Sequence, residues 1–223
     1  MIKYDNQPLN PEIDIEDFTV DRYRELIQIA KKSYTFSSYA EIPFGARFVL
    51  WRHDCDLSLN RALKLAEIEQ QEDITTTYLI NPHCDFYNPF EKGQSAIIQK
   101  ILDLKHHIGL HFDAEYHSTE SESELDEQVG DESIMLQRFF GVRPVAVSFH
   151  NPTEFLLACE EETYGGLVNC YSKRIKEAVP YVSDSNGYWR YRRLRDVLEK
   201  GEDHCLHVLT HPVWWQDCPM LPM

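Results

Sequence analysis

The chain has 223 residues, with 22 Lys and Arg against 37 Asp and Glu, a formal net charge of −15 at neutral pH. A field of that sign repels phosphate backbones and anionic lipid surfaces, so the expected partners exclude nucleic acid and membrane insertion and leave a neutral or cationic substrate. The length suits one α/β domain over 1–223, with a core large enough to stand without disulfides or a structural metal.

The six cysteines, at 55, 84, 159, 170, 205 and 218, contain no C-x-x-C pair. Met1 to Asn10 has neither the basic start nor the apolar core of a signal peptide, and no segment approaches a membrane span. Reduced thiols and a cytoplasmic location are therefore expected.

In chain order, Phe18, Tyr23, Leu26, Ile27 and Ala30 fall at helical spacing and predict a leading helix over 16–33, with Thr19 or Asp21 as its cap. The first strand is expected near 47–55. A helix follows whose apolar face is Leu59, Leu63 and Ala66, started by Ser58 or Asn60. Ile74 to Ile80 reads as the second strand and leaves through the polar Asn81-Pro82-His83-Cys84-Asp85. A helix over 95–106 leads to a short strand over 108–113. A long helix over 123–140, ended by Gly141, delivers a strand from Val145 to His150. Much of the acidic excess lies between Glu115 and Glu132, where the run from Ser121 to Glu127 reads as a solvated helix start favoured by the helix dipole. A short helix over 153–160, brief strands over 167–171 and 181–184, a helix over 192–200 and a last strand over 205–210 complete the chain. About seven strand units, mostly separated by helices, predict a largely parallel sheet with right-handed crossovers, closing as a distorted (β/α) barrel.

The predicted strands end in acids and imidazoles: Asp54 and Asp56, then His111 and Asp113, His150, Asp184 and His211. Parallel strands bring their C-terminal ends to one rim, so these residues can meet in one pocket and suggest a metal site. Asp54 and Asp56, two apart on one strand, point to the same side and repel unless a cation or a nearby Arg relieves them. An isolated D-x-D more often caps the following helix. The turn Ser183-Asp184-Ser185-Asn186-Gly187-Tyr188-Trp189 can place Asp184 beside His211 and offer Trp189 to a sugar ring, although S-D-S-N-G is also plain turn chemistry.

Together these motifs resemble the polysaccharide deacetylases of carbohydrate esterase family four, in a branch whose first motif reads R-H-D-x-D in place of T-F-D-D. The resemblance covers Arg52 to Ile80, Lys105 to Asp113, Val147 to Pro152 and Val208 to Trp215. It implies that Asp54 is the catalytic base, Asp56 and His111 are metal ligands, and His211 is the general acid. The family continues its second motif with another His four residues on, where this chain has Glu115, so the third ligand stays open among His150, Asp113, His117 and Glu115. His150, standing where the family has an F-R-P-P arginine, is preferred. His117 is as readily a core or capping residue.

Arg52, Asp113, Asp184 and Trp189 are expected around the substrate. The implied cofactor is a divalent metal, zinc first, with cobalt and manganese as alternatives. The implied reaction removes an N-acyl group, typically acetyl, from an amino sugar or glycan precursor of cell-surface polysaccharide. A degenerate family fold that only binds, or a related C–N amide hydrolase, are the other readings.

Overall fold

A computed structural model describes residues 15–220; Met1 to Asn10, on which the signal-peptide reading rests, lie outside them. After a 3-10 turn at Ile15–Phe18 come α1 (Val20–Ala30), β1 (Thr35–Ser37), β2 (Phe48–Cys55), α2 (Leu59–Gln71), β3 (Thr77–Ile80), α3 (Lys92–Asp103) and β4 (His107–Phe112). Then follow α4 (Ala114–His117), α5 (Glu122–Phe140), β5 (Ala146–Phe149), α6 (Glu154–Ala158), β6 (Thr163–Tyr164) and β7 (Leu167–Asn169). The chain closes with α7 (Lys173–Ala178), β8 (Tyr181–Ser183), α8 (Leu194–Lys200) and β9 (Cys205–Thr210).

Local chemistry sets these boundaries. Ser58 and Thr19 cap α2 and α1, and Ser121 with Glu124 forms a full capping box on α5. Gly141 closes α5 in the left-handed region at φ 75°. The third helix starts at Lys92, earlier than periodicity suggests, because the Glu91 carboxylate accepts from the backbone N–H groups of Gly93 and Gln94. The second parallel strand starts at Thr77 and not Ile74. There the Ile74 N–H bonds back to Glu69 O and the Asp73 N–H to Gln70 O, closing α2 with Asp73 at φ 57°.

The strands form one sheet in the order β6-β7-β5-β4-β3-β2-β9-β8. The seven from β7 to β8 in that path are mutually parallel, and only β6 runs antiparallel. The sheet curls into a half-barrel, matching the expected distorted barrel. The three-residue β1 pairs with Phe48–Leu50 of β2, below the segment that pairs with β3. Gly109 on β4 permits the close fit of neighbouring strands, since a Cβ there would lie 2.1 Å from Leu79 Cδ2 and 2.9 Å from Ala146 O.

Alternation along β2 sorts the core. Val49 and Trp51 pack with Tyr23, Ile27 and Trp215 under α1 and α8. Phe48 and Leu50 fill the inner face with Leu79, Ala146 and Ile175. Arg52 and Asp54 continue that inner face upward to the rim.

His53, on the opposite face, enters a buried network. Its Nε2 lies 2.8 Å from Glu69 Oε1, which also accepts from Tyr23 Oη, while Tyr78 Oη and Thr76 Oγ1 donate to Oε2 at 2.6 and 2.8 Å. His53 Nδ1 reaches Thr210 Oγ1 at 2.8 Å, tying β2 to β9 just below the rim. Burial alone would push the Glu69 carboxyl up, but the facing imidazole of His53 and the donors bring it down to about 2. We expect Glu69→Ala to cost about 3–5 kcal/mol in urea unfolding, because it strands buried donors. A depressed carboxyl contributes stability above its unfolded pKa of about 4.3 and loses it as pH falls through the folded value. The gap between wild type and variant should therefore shrink between those two pH values.

Candidate functional site

The parallel strands put the exits of β2, β4, β5, β8 and β9 on one rim, and six acids and imidazoles meet there. Asp56, one residue past β2, has its Oδ1 2.8 Å from His111 Nε2 and 3.3 Å from His150 Nδ1, and the two ring nitrogens are 3.2 Å apart. His111 lies on β4 and His150 follows β5, so three elements converge on one small triangle of donor atoms.

The tautomer of His111 is fixed from behind. Ser148, opposite it in the β4–β5 register, donates toward Asp54 Oδ1 at 3.4 Å and so accepts the His111 Nδ1–H at 2.6 Å. That leaves Nε2 with a bare lone pair facing a carboxylate oxygen. Asp56 Oδ1 is correspondingly buried without a hydrogen-bond donor, despite the short approach. Two electron-rich atoms so placed need positive charge between them. A tetrahedral ion with bonds of about 2.0–2.1 Å holds its ligands roughly 3.3 Å apart, near the spacings of this triangle. Asp56, His111 and His150 fit a divalent cation, with Ser148 orienting the buried imidazole from outside.

Without a cation the same charges draw protons. Burial would raise the Asp56 carboxyl, but His111, His150 and His211 hold it far below the ordinary carboxylate range. The Asp56 carboxylate, 3.3 Å away, raises His150 above its usual value against the effect of burial.

Asp54 sits one pleat deeper, almost fully buried. Arg52 Nη1 lies 3.3 Å from its Oδ1, an ion pair sealed from solvent, and Arg52 Nη2 donates to Tyr171 Oη at 3.3 Å. On the other flank His211 follows β9. Asp184, fully buried after β8, accepts from the backbone N–H of His211, from its Nδ1 at 2.7 Å and from the Trp215 indole at 3.0 Å. His211 Nε2 therefore faces the cluster, 3.7 Å from Asp56 Oδ2. Burial would lower the His211 imidazole, but Asp184, with Asp56 and Asp54 behind it, raises it to about 9.

Of the residues singled out from sequence, Arg52, Asp54, Asp56, His111, His150, Asp184 and His211 share this cluster. Asp113 instead caps α4, accepting from the N–H groups of Glu115 and Tyr116 at 3.1 Å. Trp189 lies apart: it stacks on Phe18 with centroids 5.4 Å apart and spends its indole N–H on Asp17. Glu115 is exposed on α4, and His117 pairs with Glu132. Ser148 and Trp215 are members that sequence reasoning missed. Ser148 stands two residues before His150, which on a strand means the same face. A cavity of about 310 Å³ is lined by Tyr171, Tyr181 and His207 and by none of the rim cluster's residues.

No protein-family profile and no curated protein matches the chain. Several solved structures are similar to it. Its neighbours there are carbohydrate esterase family four (CE4) chains. A CE4 family pseudoenzyme from Bacillus anthracis is 13% identical with a TM-score of 0.48, over 75% of this chain and 56% of that one. A family 4 acetyl xylan esterase from Clostridium thermocellum, in complex with a cobalt ion, is 15% identical at 0.44, over 77% and 76%. A Streptococcus pyogenes deacetylase in complex with acetate is 14% identical at 0.47, over 86% and 83%. This chain spans a little over half the length of the pseudoenzyme.

Proposed function

We propose that the rim cluster is a metal-dependent amide hydrolase site that removes the N-acetyl group of an amino sugar or glycan precursor. The observation that carries this reading is the opposed pair around the donor triangle, with Asp54 on one flank and the Asp184-bound imidazole of His211 on the other. Asp56, His111 and His150 would hold the ion. When bound, a divalent cation polarises a carbonyl and acidifies water.

The remaining steps belong to the protein. Asp54, ion-paired with Arg52, takes the proton of the attacking water as general base. His211, with Nδ1 committed to Asp184, carries its transferable proton at Nε2 and delivers it to the departing amine. An amine leaving group needs that proton, which is why an imidazole raised by a buried carboxylate suits amide cleavage. His150, reaching in from β5, supplies the donor that exposed Glu115 does not. Three protein donors would thus be retained, which favours an active centre over a degenerate fold that only binds. Phe86 and Tyr116, both strongly exposed on the segments after β3 and β4, offer aromatic faces to a sugar ring in place of Trp189. The sugar itself is inferred from the motif resemblance, and the acidic surface suits an uncharged substrate.

The pH dependence tests the role of His211. A raised imidazole is fully protonated at neutral pH and loses its proton as pH rises through its folded value, so acetate release should fall on the alkaline side at or below about 9. Asp184→Asn removes the charge that sustains this. We expect the alkaline limb to move down by about one unit or more and kcat to fall about 10²–10⁴-fold, with metal content unchanged. An unmoved alkaline limb would make His211 a structural residue.

A further inference from the structure

Two imidazoles outside the cluster meet a second buried carboxylate. His83, in the segment leaving β3, and His117, the last residue of α4, each place Nε2 2.6 Å from the same oxygen, Oε1 of Glu132 on α5. Glu132 is only 3% exposed, and its other oxygen, Oε2, is enclosed with no hydrogen-bond partner. A carboxylate that simply bridged two imidazoles would give one oxygen to each. Here both converge on one oxygen and the other is enclosed without a partner.

The rings are held for this convergence. His83 stacks on Tyr116 with centroids 3.5 Å apart and planes 11° apart, and His117 stacks on Phe112 at 5.1 Å and 3°. The two imidazoles stand at 86° to each other, so their Nε2 atoms approach Glu132 from different directions. About a fifth of each His side chain reaches solvent, which leaves an entry path.

We propose that His83, His117 and Glu132 form a second divalent-metal site of zinc type, with both Nε2 atoms and the Glu132 carboxylate as ligands and the remaining position open to solvent. Two neutral imidazoles and one carboxylate suit zinc or cobalt better than magnesium or calcium, which favour all-oxygen shells. The ligands come from three elements, so the ion pins the β3 exit segment and α4 against α5. That segment borders the first centre, since Cys84, next to His83, donates its thiol to the Asp56 carbonyl at 3.0 Å. The proposal does not depend on the deacylation reading.

Zinc per chain, measured on the chelator-stripped full chain after reloading and desalting, tests it. Wild type should hold about two ions and the Asp56→Ala, His111→Ala double variant about one. Adding His83→Ala or Glu132→Gln to that double variant should remove the remaining ion, and with it the visible absorption of a cobalt-loaded sample. His83 is partly exposed, so its variant reads the site even where a Glu132 variant folds poorly. A wild type with a single ion that Asp56→Ala abolishes would overturn the second site, as would a third substitution that leaves the zinc count unchanged. A single ion removed by His83→Ala but not by Asp56→Ala would support the second site and count against the first centre alone.

Discussion

Asp54→Asn should lower acetate release about 10²–10⁴-fold while leaving the metal bound. The substitution keeps the size of the side chain and removes its basicity. Asp54 is outside the donor triangle: its contacts are Arg52 at 3.3 Å and Ser148 at 3.4 Å, and its Oδ2 is 3.7 Å from His111 Nδ1. On the proposed roles a base that loses its charge cannot take the proton of water, yet the proposed ligands Asp56, His111 and His150 are untouched. Leaving Arg52 facing a neutral amide in a sealed site also costs stability, so the assay belongs well below the variant's melting temperature. Metal content, read on the same sample, separates a lost base from a lost ion.

The second large effect falls on the ion. Asp56→Ala and His111→Ala should each strip the rim centre of its metal and bring activity down to that of the chelated protein. Each removes one of the three proposed donors. Ser148→Ala should act more gently, weakening the metal by about 10–100-fold, since it frees the tautomer of His111 without deleting the ligand. Because His150 is drawn toward its protonated form by Asp56, metal binding competes with a proton, and affinity should decline as pH falls. Metal analysis and competition with a chelating dye read both series.

Much of the rim was legible in the sequence, for a definite reason. An apolar run that turns polar, as Phe48 to Asp56 and Val145 to His150 do, marks both a buried strand and its exit, and a parallel sheet gathers such exits. What stayed hidden depends on partners remote in sequence. Glu69 reads as an ordinary helical acid, and only the fold brings Tyr23, His53, Thr76 and Tyr78 around its carboxylate. Ser148 inside Val147-Ser148-Phe149 reads as a small core residue until β4 is set beside β5. Trp189 in a polar turn looks free to meet a sugar, but its indole is claimed by Asp17, far back in the chain. His83 and His117 are unremarkable loop histidines until α5 brings Glu132 between them. The short β1 and β6 carry too few residues to show alternation at all.

On the proposed reading, a divalent ion on Asp56, His111 and His150 makes this rim an N-deacylating centre. Acetate released from a panel of N-acetylated amino sugars and sugar nucleotides, by chelator-stripped protein before and after zinc, cobalt or manganese is restored, tests it most directly. The account predicts no release from the stripped chain and release from at least one substrate once metal is returned, abolished again by Asp54→Asn. Protein shown by metal analysis to be loaded at Asp56 that frees no acetate from any of them, or stripped protein that frees as much as loaded protein, would contradict it.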